Sequence, residues 1–230
     1  MVKVRDRDKA EVSHYFHENL RQYGYDPRSL GWIPGTQEAR FRVLTAIGDL
    51  EGCSVLDVGC GFGDLYEYLR RNGIDVDYTG VDLSQDFVEI ARQRHPDATF
   101  IAADFEEARV GRDFDWAFES GVFNYKVSGH EFFVGNMIRK MFRSVVKGIA
   151  IDFLNHRGGF FSTGLYHPRP ADIYAFCNKL SHRVTLRCDY KPTEFCVYVY
   201  RDDEEGPGNV YRGYDEALGD VAGRRWPDDR

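Results

Sequence analysis

Residues 54–65 read Ser-Val-Leu-Asp-Val-Gly-Cys-Gly-Phe-Gly-Asp-Leu, and this stretch decides the fold. Residues 54–58 are short, apolar and rich in β-branched side chains, which is typical of a buried strand. Glycines follow at Gly59, Gly61 and Gly63, and an apolar helical pattern begins directly after them. A strand, a glycine turn and a helix in this order predict a nucleotide-binding element, because glycines let a ligand approach the backbone where no Cβ intrudes.

Acidic residues around the turn indicate which kind of nucleotide binds there. A dinucleotide fingerprint has the spacing G-x-G-x-x-G and holds a pyrophosphate at the helix N-terminus. Here the third glycine comes one residue early, and Asp64 takes the place of the last glycine, so its charge would repel a pyrophosphate. Asp57 adds a second acid inside the strand. Together the two acids favour a cationic ligand.

The motif resembles the first motif of the class I S-adenosylmethionine (SAM) methyltransferases, E/D-x-G-x-G-x-G, through Asp57, Gly59, Gly61 and Gly63. The resemblance covers about residues 37–201. It implies an enzyme that uses SAM and releases S-adenosylhomocysteine. The sulfonium and the α-ammonium of SAM would explain why acids rather than bases surround the turn.

The ends of the next strands carry further cofactor contacts that the resemblance implies. Asp82 ends the second predicted strand and would hold the ribose hydroxyls, with Leu83 against the adenine. Asp104 and Phe105 follow the third strand and would meet the adenine amine and a ring nitrogen. Arg40 would pair with the cofactor carboxylate. The complete predicted cofactor-binding set is Arg40, Asp57, Gly59, Cys60, Gly61, Gly63, Asp82, Leu83, Asp104, Phe105, Glu119 and Ser120.

The order of the other elements predicts an α/β, Rossmann-like fold of the class I methyltransferase type. Apolar strands at 114–118 and 148–154 alternate with helical patterns, which indicates a mostly parallel sheet with helices on both faces. The strand-like segments 183–187 and 195–200 are joined by a short turn. We therefore expect a seven-stranded sheet that ends in an antiparallel C-terminal hairpin.

Three segments differ in composition and predict the domain organisation. Residues 1–50 read as an N-terminal helical cap or lid, and residues 51–201 as the SAM-binding catalytic domain. Residues 202–230 are polar and interrupted by glycine and proline, so we expect a mobile tail or a short surface helix.

Composition argues against several classes of protein. A net charge of −7 argues against a nucleic-acid binder, and no apolar run is long enough to span a membrane. Five cysteines without metal-type spacing predict reduced core thiols and no metal site. Since the N-terminus also lacks an apolar signal region, we expect a cytoplasmic protein. The sequence leaves open whether the protein is a monomer or a homodimer.

The loop after the fourth strand bears on the methyl acceptor. Residues 119–125 lack the Asn/Asp-Pro-Pro-Tyr/Phe motif used on planar amide or base nitrogens, which favours a small-molecule acceptor with a reactive oxygen or nitrogen, as in biosynthetic methylation. Methyl transfer can depend mainly on proximity and alignment, so the catalytic residue stays open. Candidates for a polar group near the acceptor are Tyr15, Tyr125, His156 and Tyr166.

Three alternatives remain at this point. A protein or RNA methyltransferase would share the fold, and the pairs Arg70-Arg71 and Arg224-Arg225 would give it local positive charge. A dinucleotide-dependent oxidoreductase is disfavoured by Asp57 and Asp64. A cofactor-binding partner subunit without turnover would keep the same first motif.

Overall fold

One seven-stranded sheet forms the centre of the described chain, which in this computed structural model comprises residues 6–110, 113–156 and 163–201. The strands are β1 (Cys53–Val58), β2 (Val76–Asp82), β3 (Thr99–Ala102), β4 (Phe114–Glu119), β5 (Val145–Leu154), β6 (Val184–Arg187) and β7 (Glu194–Tyr200). Their spatial order is β3-β2-β1-β4-β5-β7-β6. All neighbours pair in parallel except β7, which runs antiparallel to both β5 and β6.

Helices cover both faces of this sheet. They are α1 (Asp6–Tyr23), α2 (Gln37–Thr45), α3 (Asp64–Arg71), α4 (Gln85–Arg94), α5 (His130–Arg143) and α6 (Pro170–Cys177), with one 3₁₀ turn at Pro27–Leu30. Apolar side chains of α2, α3 and α4 form one buried core with alternate residues of the strands. Those of α5 and α6 form a second core on the opposite face. Both faces of the central strands are therefore buried, as the continuous apolar pattern of residues 54–58 requires.

Strand direction brings the polar residues of different strands to one edge. The parallel strands β1 to β5 all end at the same edge of the sheet, where Val58 pairs with Glu119 and Glu119 with Ile151. Because β7 is antiparallel, its first residue, Glu194, lies at this edge opposite Leu154. Ligands of open α/β sheets bind at this edge.

These observations confirm the predicted fold, including the antiparallel C-terminal hairpin. The main difference is β5, which begins at Val145 rather than at residue 148, because Val145 pairs with Phe114 before an irregularity in the β4–β5 register. Ser84 caps α4, since its Oγ accepts a hydrogen bond from the amide of Phe87 at 3.3 Å. The predicted C-terminal tail lies outside the described residues.

The cysteines follow the predicted pattern with one exception. Cys53, Cys60, Cys177 and Cys196 are buried free thiols, whereas Cys188 follows β6 and is exposed. Within the described part of the chain, no helix is long and apolar enough to cross a membrane. The same residues contain no cluster of three or more histidine, cysteine or acidic side chains arranged to hold a metal ion.

Candidate active site

The turn between β1 and α3 has a backbone that glycine adopts most easily. Gly59, Gly61 and Gly63 have φ angles of 80°, 53° and 78°. This left-handed region costs a residue with a Cβ about 1–2 kcal/mol. A Cβ at Gly59 would also overlap the side chain of Val122, which follows β4. The turn therefore lies against the β4 loop with no room for a larger residue.

The other two glycines of the turn serve different contacts. A Cβ at Gly63 would lie 2.9 Å from both His95 and Phe100, and Gly63 does not line the cavity described below. A Cβ at Gly61 would lie 3.0 Å from Leu30 of the N-terminal segment. Gly61 therefore allows the N-terminal segment to approach the turn, whereas Gly63 allows the start of α3 to pack against His95 and Phe100.

Two buried carboxylates flank the turn. Asp57 accepts a hydrogen bond from the Tyr78 hydroxyl, and burial raises the pKa of this carboxyl to about 7. Asp82 accepts hydrogen bonds from the amides of Gly61 and Ser84 at 2.9 and 2.8 Å, while burial raises its pKa as well. A nearby positive charge stabilises the ionised form of such acids. The site thus has the electrostatic character that a cationic ligand needs.

A cavity of about 660 Å³ runs along the strand ends from β3 to β7. Most of the predicted cofactor-binding residues line it, but Gly63 and Glu119 do not, and of the candidates near the acceptor only Tyr125 does. The predicted residues that line the cavity are Arg40, Asp57, Gly59, Cys60, Gly61, Asp82, Leu83, Asp104, Phe105, Ser120 and Tyr125.

At the β3 end of the cavity, an N-terminal lysine reaches the predicted adenine-binding acid. Lys9 of α1 forms ion pairs with Asp104 and, at 3.1 Å, with Glu106. The other oxygen of Asp104 accepts the amide of Glu106 at 2.9 Å. Leu83 is 46% exposed and offers an apolar surface beside these acids. The sequence did not predict a role for Lys9 at the site, because nothing in its local pattern distinguishes it from a solvated lysine.

At the opposite end, Arg40 of α2 is 5% exposed and belongs to a buried ionic cluster. Its guanidinium lies 3.9 Å from the centre of the Trp32 ring and makes two hydrogen bonds to Glu194. Asp152 lies 3.5 Å from Arg40 Nε and accepts a hydrogen bond from Ser120 at 3.1 Å. The sequence does indicate a functional role for Asp152, since this residue is a single acid within the apolar strand 148–154.

Glu119 supports the β4 loop rather than the cavity. One oxygen accepts hydrogen bonds from the amides of Val122 and Phe123 at 2.6 and 3.4 Å, and the other is buried without a partner. Burial, together with the nearby charge of Asp152, raises the pKa of Glu119 well above its usual value. Through these two hydrogen bonds, Glu119 fixes the loop that contacts Gly59.

The four candidates near the acceptor occupy different environments. Tyr15 is 43% exposed, and its ring lies 5.1 Å from Tyr125. Burial and a hydrogen bond with Tyr15 raise the pKa of Tyr125, so its hydroxyl stays protonated. The ring of Tyr166 lies 4.2 Å from that of His130. The Nδ1 atom of His156, which is buried, has no hydrogen-bond partner within the part of the chain that the structure describes.

Comparison with known proteins gives the family. The family model described as a methyltransferase domain matches residues 55–148, which contain most of β1, the glycine turn and β2 to β4. A putative methyltransferase of Mycobacterium tuberculosis is 30% identical over 159 residues, which are 64% of this chain and 92% of that protein. A fatty-acid O-methyltransferase of Mycolicibacterium smegmatis is 41% identical over 109 residues, and the match covers 41% of this chain and 40% of that protein.

Solved structures show the same fold. The magnesium protoporphyrin IX methyltransferase of Synechocystis PCC 6803, crystallised with S-adenosylhomocysteine, aligns with a TM-score of 0.60 at 19% identity. The alignment covers 85% of this chain and 100% of that one. Together with the match to nearly the whole mycobacterial relative, the glycine turn and its two acids show that the chain belongs to the class I SAM-dependent methyltransferase family.

Proposed function

We propose that this enzyme methylates an oxygen of a small acceptor that has an apolar body. The observation that carries the proposal is the continuity of one cavity, which joins the glycine turn and its acids to an apolar chamber. The chamber is lined by Val127, Phe133, Met137, Leu154 and Leu165. A cofactor on the turn and an apolar acceptor in the chamber would lie within the same enclosure.

The residues around the turn fit SAM. The left-handed glycines keep the backbone open to a ligand, and the buried carboxyls of Asp57 and Asp82 complement a sulfonium and an ammonium group. Asp82 retains acceptor capacity for ribose hydroxyls, because each carboxylate oxygen has two lone pairs. Arg40 has a buried Nη1 atom without a partner, which suits the cofactor carboxylate.

Backbone pairing gives the acceptor chamber a fixed wall. Tyr125 and Leu165 form an isolated antiparallel bridge, with Lys126 donating to Gly164 at 2.9 Å and Tyr166 to Asn124 at 2.8 Å. The β4 loop and the segment after β5 therefore form one unit. Rigid walls hold two reactants in alignment, and alignment is the main requirement of methyl transfer.

The chain's own residues position the reactants and exclude water. When bound, SAM supplies a methyl group on a positively charged sulfur, and its transfer leaves neutral S-adenosylhomocysteine. Ionised Asp57 favours the cationic form, while the apolar chamber keeps water from the acceptor oxygen. With its raised pKa, the Tyr125 hydroxyl stays protonated and is suited to donate a hydrogen bond to the acceptor, not to remove a proton from it. An acceptor that is already an anion, such as a carboxylate, needs no base.

The name of one relative supports an oxygen acceptor. The relative from Mycolicibacterium smegmatis is a fatty-acid O-methyltransferase, and it shares 41% identity over 109 residues with this chain. The chain spans only 40% of that protein, so the acceptor is argued from the chamber first and the relative second.

The test measures cofactor binding and then acceptor choice. Calorimetry with S-adenosylhomocysteine should show binding to the wild type, and NADH should show none. Asp82→Asn should weaken this binding by about 10- to 100-fold, the value of a charge-assisted hydrogen bond. Asp97→Asn is the matched control, since Asp97 lies at the surface and pairs with Arg70 at 2.9 Å.

Acceptor choice is tested with one alkyl chain and three head groups. Dodecanoate, dodecanol and dodecylamine are incubated with SAM, and release of S-adenosylhomocysteine is measured, with glucose as the polar comparison. We expect turnover with dodecanoate and none with glucose. Turnover with the amine alone, or with glucose alone, would contradict the proposed acceptor. Absence of S-adenosylhomocysteine binding to folded wild type would contradict the proposed function as a whole.

A further inference from the structure

The cluster around Arg40 holds the guanidinium in one orientation. Arg40 Nε donates to one oxygen of Glu194 at 2.8 Å, and Nη2 donates to the other oxygen. The Trp32 ring fixes the plane of the group from one face. A bidentate arginine–carboxylate pair adds geometric specificity beyond its charge. Because Glu194 binds Nε and Nη2, Nη1 is the remaining nitrogen of the guanidinium.

Among the described residues, no group accepts a hydrogen bond from Nη1. Arg40 Nη1 is buried and has no hydrogen-bond partner, although Arg40 lines the cavity. A buried donor without a partner costs free energy unless a ligand satisfies it. The cluster contains two acids, Asp152 and Glu194, and two bases, Arg40 and Lys191, so their numbers are equal. The unused N–H groups of Nη1 therefore remain available for one further anion.

The position of the cluster matches one end of the cofactor. Neighbouring strands lie about 4.8 Å apart, so β2 and β5 are about 14 Å apart at the edge where the cavity lies. A nucleoside held by Asp82 at the end of β2 would extend toward β4 and β5, because the cavity continues in that direction. The amino-acid tail would then be held near Ser120, whose hydroxyl donates to Asp152 within the same cluster.

We propose that Glu194 is a positioning residue, which turns Arg40 so that Nη1 binds the carboxylate of the cofactor's amino-acid tail. This inference rests on the proposed function and adds β7 to the cofactor site. Glu194 lies 154 residues after Arg40 and belongs to no nucleotide-binding motif. The enzyme thereby distinguishes adenosyl ligands that carry the amino-acid tail from those that lack it.

The test compares two ligands that differ only at the tail. S-adenosylhomocysteine carries the amino-acid tail, and 5′-methylthioadenosine lacks it but keeps the nucleoside and the sulfur. Glu194→Gln should weaken S-adenosylhomocysteine about tenfold, while 5′-methylthioadenosine changes less than about twofold. Loss of packing alone would weaken both ligands together.

Two further variants keep the test decisive. Glu194→Asp retains the charge and shortens the side chain, so it should fold where Glu194→Gln does not and should still weaken the tail-bearing ligand selectively. Asp189→Asn is the matched control, because Asp189 forms an equally bidentate pair with Arg187 at 2.8 and 3.0 Å on the exposed surface of the same hairpin. It should change neither affinity. Thermal unfolding confirms that each variant is folded.

The outcomes separate this inference from the proposed function. The wild type could bind both ligands while neither Glu194 variant changes the ratio of the two affinities. That outcome would overturn the role of Glu194 but not the proposed function. Equal weakening of both ligands would overturn it as well, since that is the effect of a purely structural residue. A folded wild type that binds neither ligand would overturn this inference and the proposed function together.

Discussion

The cavity has two walls of different construction. The strand-end wall consists of the ends of β1, β2 and β4, and its glycine turn is held by backbone hydrogen bonds such as that from Gly59 to Val81 at 2.8 Å. The helix wall consists of the α1 residues Lys9, Val12, Ser13 and Phe16. Side chains hold the helix wall in place, chiefly the ion pairs of Lys9 and the contact between the rings of Phe16 and Phe87 at 6.0 Å.

This difference assigns separate tasks to the two walls. Backbone pairing in a buried parallel sheet breaks only when the domain unfolds, so the strand-end wall is formed before the ligand arrives. Partly exposed side-chain contacts contribute little stability each, and they break and re-form readily. We therefore propose that ligands enter and leave past the helix wall. Changes in the first wall should affect affinity and stability, and changes in the second should affect rates.

The largest effect is expected from Gly59→Ala in the strand-end wall. The left-handed backbone costs alanine about 1–2 kcal/mol, and the new Cβ would overlap Val122. Unfolding followed by circular dichroism should show a fall in Tm of several degrees, at about 2–4 °C per kcal/mol. Calorimetry should show no measurable binding of S-adenosylhomocysteine.

The control for this variant is Gly73→Ala. Gly73 has a similar φ of 71°, but a Cβ there would meet no atom within 4 Å. It should reproduce the backbone cost and leave ligand binding intact. Equal loss of binding in both variants would show that the loss follows from the backbone cost alone and not from a side chain at the turn. Retained binding in Gly59→Ala would show that the turn tolerates a side chain, and either result would remove the basis of the comparison between the walls.

A smaller effect is expected from the pH dependence of SAM binding. The pKa of Asp57 is about 7, with Asp82 and Asp64 nearby and Tyr78 as its hydrogen-bond donor. Because the cationic cofactor prefers ionised Asp57, its dissociation constant should rise nearly tenfold from about pH 7.5 to about pH 6. Asp57→Asn should remove this dependence in calorimetry, and a pH profile that persists in the variant would contradict the assignment.

The same carboxyl has the opposite effect on folding. Its folded pKa lies above the unfolded value of 3.8, so the native state binds more protons between about pH 4 and pH 7. The contribution of Asp57 to the free energy of unfolding is therefore present at low pH and is lost as the pH rises toward 7. Asp57→Asn should flatten this slope, which urea unfolding at several pH values would measure.

The smallest effect is expected from Lys9→Met in the helix wall. This change leaves Asp104 and Glu106 without their shared cation, while the free energy of unfolding falls by no more than about 1 kcal/mol. Stopped-flow measurement should show that S-adenosylhomocysteine dissociates about three to ten times faster. Arg7→Gln is the control, since Arg7 pairs with Glu11 at 2.9 Å on the exposed side of the same helix. An unchanged dissociation rate in Lys9→Met would show that α1 does not control release.

Much of the strand-end wall could be predicted from the sequence because its signals are local. The motif at Asp57 to Gly63 is continuous, and Asp82 and Asp104 each follow a recognisable apolar strand. The spacing of such residues within one strand-turn-helix unit reflects local geometry. The fold was predictable for the same reason, since the strands and helices alternate in plain order.

The remaining contacts depend on pairing between distant segments. Lys9 meets Asp104 across 95 residues, and Arg40 meets Glu194 across 154. Only the register of β7 against β5 and the docking of α1 bring these partners together. Glu119 shows the reverse case, because its place at a strand end suggested a ligand contact, whereas its carboxyl turns toward the amides of its own loop.

The antiparallel direction of β7 has a consequence for how the site can change. A parallel strand would present its last residue at the ligand-binding edge, but β7 presents its first, directly after the turn that follows β6. An insertion or deletion in that turn that shifts the register of β7 would move Glu194 relative to Arg40 and leave the glycine turn untouched. With the proposed role of Glu194, specificity at the tail end of the cofactor would diversify through this hairpin, independently of the motif that defines the family.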